Sequence, residues 1–158
     1  MPPQLLFPME QLDPNKLWAS MDVVRKFNQQ RFEMEQIDGI LHFDTAAALA
    51  VGVKNCRPDE FWVRGHVPGR PLLPGVLMCE CAAQVCSFLY ANQAETAGRF
   101  LGFGGMEGVK FRGQVVPGDR LIMMAKGIDM RPRRSIFQTQ GVVNGKLVFE
   151  GQIIGMPM

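Results

Sequence analysis

The chain reads as an α+β domain in which several antiparallel strands surround one central, mostly buried helix. Residues 75–92 are the longest helical stretch, and up to Tyr90 its polar side chains are Glu80, Gln84 and Ser87, at i, i+4 and i+7 on one narrow stripe. A helix apolar on every other side has to be wrapped by other elements. The wrapping is supplied by strand-like segments at 34–43 and 46–55, then near 98–111, 119–130, 134–143 and 146–156. Turn signals separate them at Asp44-Thr45, Pro117-Gly118-Asp119 and Asn144-Gly145, the last a strong hairpin signal between strand residues. Strands around one apolar helix make an α+β layer architecture.

Taken in order, Asp13-Pro14 has the form of a helix start, with Asp as N-cap and Pro at the first helical position. Leu17, Met21, Val24 and Phe27 follow at helical spacing, so a short amphipathic helix is expected over 14–28. This divides the chain into an N-terminal flanking helical segment, 1–27, and a main domain, 28–158. The segment 56–74 reads as loop and holds four of the eleven prolines, at 58, 68, 71 and 74.

At 158 residues and 47% hydrophobic content, the chain suits one well-buried domain. With 17 Lys+Arg against 15 Asp+Glu, the charge is too balanced for a nucleic-acid protein. The densest basic cluster, Arg131-Pro132-Arg133-Arg134, reads as a solvated turn between strands, with a docking spot for an acidic partner as the alternative. Cys56, Cys79, Cys81 and Cys86 show neither disulfide logic nor metal-ligand spacing and read as small buried thiols. No stretch reaches the length of a membrane span, and the N-terminal residues lack a leader pattern; the expectation is a cytoplasmic protein.

The chemistry concentrates between His66 and Glu80, fourteen residues apart. His66 opens a loop stiffened by Pro68, Pro71 and Pro74, with Gly65 and Gly69 leaving room for a ligand. A lone loop histidine is more often structural than catalytic, and His42, at the end of a strand pattern, is read as surface or structural. Gly75 opens the helix with free N–H groups that suit a carbonyl oxygen gaining negative charge. Glu80 sits one turn further, where an apolar setting opposes ionisation and the helix N-terminus favours it. A base, a set of backbone donors and a partly desolvated carboxyl are the parts that proton transfer on a carbonyl compound needs. The alternative for Glu80 is an ordinary buried carboxyl satisfied by backbone or by Gln84.

The run Gly65-His66-Val67-Pro68-Gly69-Arg70-Pro71-Leu72-Leu73-Pro74-Gly75-Val76-Leu77, followed by Glu80-Cys81-Ala82-Ala83-Gln84, resembles the signature of the β-hydroxyacyl-acyl carrier protein dehydratases of FabZ type. Arg31-Phe32, Asp38, Lys110-Phe111-Arg112 and Val115-Val116-Pro117-Gly118-Asp119 extend the resemblance over roughly residues 28–156. It implies a hot-dog fold, a curled antiparallel sheet around one long central helix. It also implies elimination of water from (3R)-3-hydroxyacyl thioesters to give trans-2-enoyl thioesters in fatty acid biosynthesis, with no metal or organic cofactor. The implied partner is acyl carrier protein with its phosphopantetheine-linked substrate. The implied assembly is a homodimer, or a hexamer as a trimer of dimers, with His and Glu of each site from different subunits. Carried over, His66 takes the C2 proton, Glu80 protonates the departing hydroxyl and the Gly75 N–H polarises the thioester carbonyl. Gln84 orients Glu80, while Val67, Pro74 and Val76 shape the acyl pocket.

Three departures from the family pattern stand out. Val67 stands in place of Phe, Glu33-Met34-Glu35-Gln36 in place of Pro-Phe-Leu-Leu, and Gly39 in place of Arg after Asp38, which removes an expected salt bridge. These bear on substrate choice. Other readings are a specialised dehydratase or acyl thioesterase on the same fold, or a non-catalytic acyl-thioester binding module.

Overall fold

The computed structural model describes every residue except Pro2. Helix α2, Gly75–Ala91, is the long apolar segment, and it is buried on nearly all sides. Strands β1 (Gly39–Asp44) and β2 (Leu49–Asn55) precede it; β3 (Leu101–Phe111), β4 (Arg120–Met130), β5 (Ser135–Val143) and β6 (Lys146–Pro157) follow. All six pair antiparallel in the order β1-β2-β4-β5-β6-β3. The sheet curls around α2, which packs on β4 and β2 and meets β3, β5 and β6 at its flanks. This is the hot-dog fold.

Local chemistry sets the ends of the elements. Asn144 (φ +50°) and Gly145 (φ +77°) form the two-residue turn between β5 and β6, where left-handed backbone matches the twist of the strands. In β2, a Cβ on Gly52 would lie 2.6 Å from the Val85 side chain, so glycine lets the strand approach the helix closely.

The expected helix over 14–28 reduces to a single turn, α1, Met21–Val24. Asp13 caps a local turn instead, its Oδ1 accepting from the Asn15 N–H at 3.0 Å. Trp18 and Ala19 are extended and bond the backbone of Ile40, at the open edge of β1. Tertiary pairing with that edge overrides the helical spacing of Leu17 and Met21. The first strand begins at Gly39 rather than 34, because the backbone of Met34 and Gln36 is bonded to the side chain of Gln84 on α2.

Two apolar clusters result. The larger fills the space between α2 and the inner face of the sheet. The smaller lies on the outer face, where Leu41, Val51, Val53, Ile122, Met124 and Val142 are covered by the N-terminal residues around Phe7. The N-terminal run is pinned there by Gln140, whose Oε1 accepts from Leu6 N–H at 2.7 Å and whose Nε2 donates to Gln4 O at 3.0 Å. Phe7 packs on the His42 ring, centroids 4.4 Å apart, so His42 has a packing role on this outer face.

All four cysteines are buried and unpaired. Among the described residues no helix is long and apolar enough to cross a membrane.

Candidate active site

The loop leading to α2 is latched at both ends. His66 N–H donates to Trp62 O at 2.8 Å, Leu72 N–H donates to His66 O at 2.7 Å, and Leu73 N–H donates to Val115 O at 2.8 Å. Between them Val67 and Arg70 exchange backbone bonds around Gly69, whose φ of +79° explains the glycine. The His66–Val67 peptide is cis. His66 Nδ1 lies 2.8 Å from Leu72 O. A carbonyl oxygen only accepts, so Nδ1 carries the proton and Nε2 of the neutral ring presents its lone pair outward. The ring is exposed in the single chain.

At the start of α2 the Leu77 and Met78 amides turn back to Pro74 O, at 2.9 and 3.3 Å. The two preceding amides, of Gly75 and Val76, come before the first intrahelical bond and so have no partner within the helix. Gly75 is packed against Phe111: a Cβ there would lie 2.9 Å from the ring.

Glu80 is held by a network centred on Gln84. Gln84 Oε1 accepts from Gln36 N–H at 2.8 Å, and this fixes which end of the amide is which, since an N–H can only donate. Gln84 Nε2 is thereby turned to donate to Met34 O at 2.6 Å and to Glu80 Oε1 at 2.8 Å. Gln84's own carbonyl accepts from Asn28 Nδ2 at 3.0 Å, and Cys81 Sγ lies 3.2 Å from Gln36 O. With Oε1 engaged as an acceptor, a proton on this carboxyl belongs on Oε2.

Glu80 lies on the wall of a cavity of about 240 Å³ whose lining includes Ala83 and Ser87 from α2, Leu101 and Phe103 from β3, Ile153 from β6, and Gln30. The structure brings Glu80 and Gln84 together, with Gly75 at the head of the same helix. His66 does not line this cavity in its own chain. Pro74 is half-buried and caps the helix, while Val67 and Val76 are exposed rather than facing the cavity, Val76 at 70%. Sequence reading missed Gln30 and the backbone of 34–36. Both are brought to α2 by long-range folding, and neither has a local pattern to announce it.

Two ion pairs fix the flanks. Asp38 does find a cation: Arg57 Nη1 lies 3.0 Å from its Oδ1, in place of the salt bridge expected to be lost at Gly39. Lys54 Nζ lies 2.5 Å from Glu60 Oε1, with both side chains almost wholly buried at the start of the loop that carries His66. Beside them burial pushes the Cys56 thiol up to about 12.

A curled sheet around an apolar helix, with a tautomer-fixed histidine on the loop before that helix and an oriented glutamate on it, places the chain among the hot-dog enzymes of acyl thioesters. It belongs to the FabA-like family, whose FabA-like domain matches residues 28–152. The chain is 33% identical over 133 residues to the 3-hydroxyacyl-(acyl-carrier-protein) dehydratase FabZ of Streptococcus thermophilus, covering 84% of this chain and 93% of that one. It is 36% identical over 123 residues to the FabZ of Streptococcus sanguinis, covering 78% and 86%. Among solved structures, the dehydratase heterocomplex ApeI:P from Xenorhabdus doucetiae has the same fold, with a TM-score of 0.71 at 12% identity over 85% of this chain and 90% of that one.

Proposed function

We propose that this chain is a 3-hydroxyacyl-(acyl-carrier-protein) dehydratase serving fatty acid biosynthesis, with His66 and Glu80 as its proton-transfer pair. The observation that carries the assignment of roles is the Gln84 to Glu80 hydrogen bond at the cavity wall, which leaves one carboxyl oxygen to hold a proton. The thioester carbonyl docks at the Gly75 N–H, which makes C2 more acidic. His66 Nε2 takes the C2 proton, the C2–C3 double bond forms, and the C3–O bond breaks. Glu80 gives its proton to the departing hydroxyl, which leaves as water. The proton on His66 then returns to Glu80, directly or by way of that water, and restores the starting state.

The pair belongs to a dimer in this reading. The sheet ends in β3, eleven residues long, whose outer edge has no partner strand among the described residues, whereas the β1 edge is covered by Trp18 and Ala19. Phe103, Met106 and Phe111 on β3 are about half exposed, as is Val67 beside His66. A long apolar edge of this kind calls for a second strand. Two-fold pairing of β3 with its copy covers these side chains and sets the His66 of one subunit against the Glu80 of the other. Val67, Pro74 and Val76 then shape the pocket from the interface. Hexamers are a trimer of such dimers.

The acidic carrier is met by cations. Arg112 and Arg131 are engaged by Glu150 and Asp129, so Lys110, Arg133 and Arg134 are the side chains offered for docking. The unpaired thiols suit a reducing, cytoplasmic setting.

The test is incubation with crotonyl and longer enoyl thioesters on acyl carrier protein. Loss of the enoyl absorbance on hydration is expected; its absence at every chain length would overturn the assignment.

A further inference from the structure

Lys54 and Glu60 form an ion pair taken out of water. Their side chains are 2% and 10% exposed, whereas in every other ion pair among the described residues the arginine is at least 41% exposed. Lys54 is the penultimate residue of β2, in register with Leu121 of β4, so the sheet fixes its place. Glu60 belongs to the loop that leads to His66, and its two carboxylate oxygens serve different elements. Oε1 accepts from Lys54 Nζ at 2.5 Å, and Oε2 accepts from the Arg57 N–H at 2.9 Å. Two turns then run on to the histidine: Val63 N–H donates to Glu60 O at 3.1 Å, and His66 N–H donates to Trp62 O at 2.8 Å. Trp62 between them is buried, but its indole Nε1 has no hydrogen-bond partner, so packing alone holds that side chain.

A buried ion pair is often no more stabilising than apolar residues of the same volume, because both charges must be stripped of water. What it supplies is direction. A charge-assisted hydrogen bond between strand and loop fixes their spacing and angle, where an apolar contact lets them slide. Direction matters for a proton-transfer group, since a displacement of about 1 Å can cost about a hundredfold in rate. We propose that Lys54 and Glu60 are positioning residues for the reaction, holding the root of the loop on β2 so that His66 Nε2 meets C2 of the acyl chain. The proposal rests on the dehydratase reading, in which His66 is the base.

The test separates rate from stability. In the full chain, Lys54→Met combined with Glu60→Leu removes both charges and keeps the site filled, so its unfolding midpoint should stand near that of wild type. Its kcat for hydration of crotonyl pantetheine, normalised to folded protein, should nonetheless fall about ten- to a hundredfold with KM little changed. Glu60→Gln keeps the size and one acceptor, needs no apolar repacking, and should lose about tenfold. Built into His66→Ala, the double substitution should lower kcat no further, since a positioning pair acts only through the group it positions. Wild-type kcat in the folded variants, a change confined to KM, an equal further loss in His66→Ala, or failure of both variants to fold would each overturn the proposal. Wild-type turnover in the same assay checks the dehydratase reading separately. An inactive wild type sinks that reading and this proposal with it; an active one indifferent to the pair sinks this proposal alone.

Discussion

Gln84 Nε2 donates to Glu80 Oε1 at 2.8 Å, and the amide that makes this bond cannot turn, because Gln36 N–H occupies its oxygen at 2.8 Å. The orientation of the acidic side chain is thus set by a backbone amide forty-eight residues before Gln84. Gln84→Met keeps the volume and removes both polar ends. Orphaning the buried Gln36 N–H should cost about 1–3 kcal/mol of stability. Freed of its donor, Glu80 loses its fixed orientation, so kcat should fall with KM little changed, a split that a purely structural loss would not produce. Gln84→Glu should not restore it, since a carboxylate cannot donate to Glu80.

On the proposed roles, His66→Ala and Glu80→Gln each remove one proton-transfer group and should lower kcat by about 10²–10⁴-fold while leaving the fold and the wild-type assembly unchanged. Circular dichroism and size-exclusion chromatography check the second half of that statement. A variant retaining more than about a tenth of wild-type turnover at saturating substrate would not have lost a catalytic group.

Mixing those lesions tests the shared site. With His66 of one subunit facing Glu80 of the other, as proposed, a dimer of His66→Ala with Glu80→Ala has both lesions in one site and leaves the other whole. Co-expression of the two inactive chains should recover about a quarter of wild-type activity when half the dimers are mixed. Confirmed heterodimers with no recovery would mean that the pair acts within one chain.

The Lys54–Glu60 pair lies at the root of the His66 loop with side chains 2% and 10% exposed. Breaking it strands a buried charge, so Glu60→Ala should destabilise the protein by about 3–5 kcal/mol in chemical denaturation. A Lys54→Met, Glu60→Leu double substitution should recover much of that loss, since no uncompensated charge remains.

Burial raises the Cys56 thiol from 9.0 to about 12, and the Cys79, Cys81 and Cys86 thiols are raised for the same reason. The folded state therefore holds protons that the unfolded chain releases earlier. The contribution is fully present below 9.0, the ordinary thiol value, and is lost as pH climbs toward the folded value near 12. Unfolding free energy should decline above that lower limit, and Cys56→Ala should flatten part of the decline. At neutral pH, maleimide should label the native protein far more slowly than the urea-unfolded chain.

The helix was legible in the sequence because its pattern is local: an apolar run broken only by Glu80, Gln84 and Ser87 describes a segment buried on all sides whatever surrounds it. Asn144-Gly145 was legible for the same reason, since a two-residue turn with left-handed backbone names its own residues. The run from His66 to Gln84 carried the family and the candidate roles, because its prolines, glycines and spacing lie within one short stretch. Tertiary structure alone decided what depends on distant partners. It drew residues 18–19 into pairing with Ile40 and reduced an expected helix to one turn. It also gave Asp38 its partner in Arg57, folded Lys54 onto Glu60, and brought Gln30 and the backbone of Met34 and Gln36 to the glutamate's helix. Local propensity states what a segment can be; which edge, charge or amide it meets is settled by burial, when the whole chain competes for the same few unsatisfied groups.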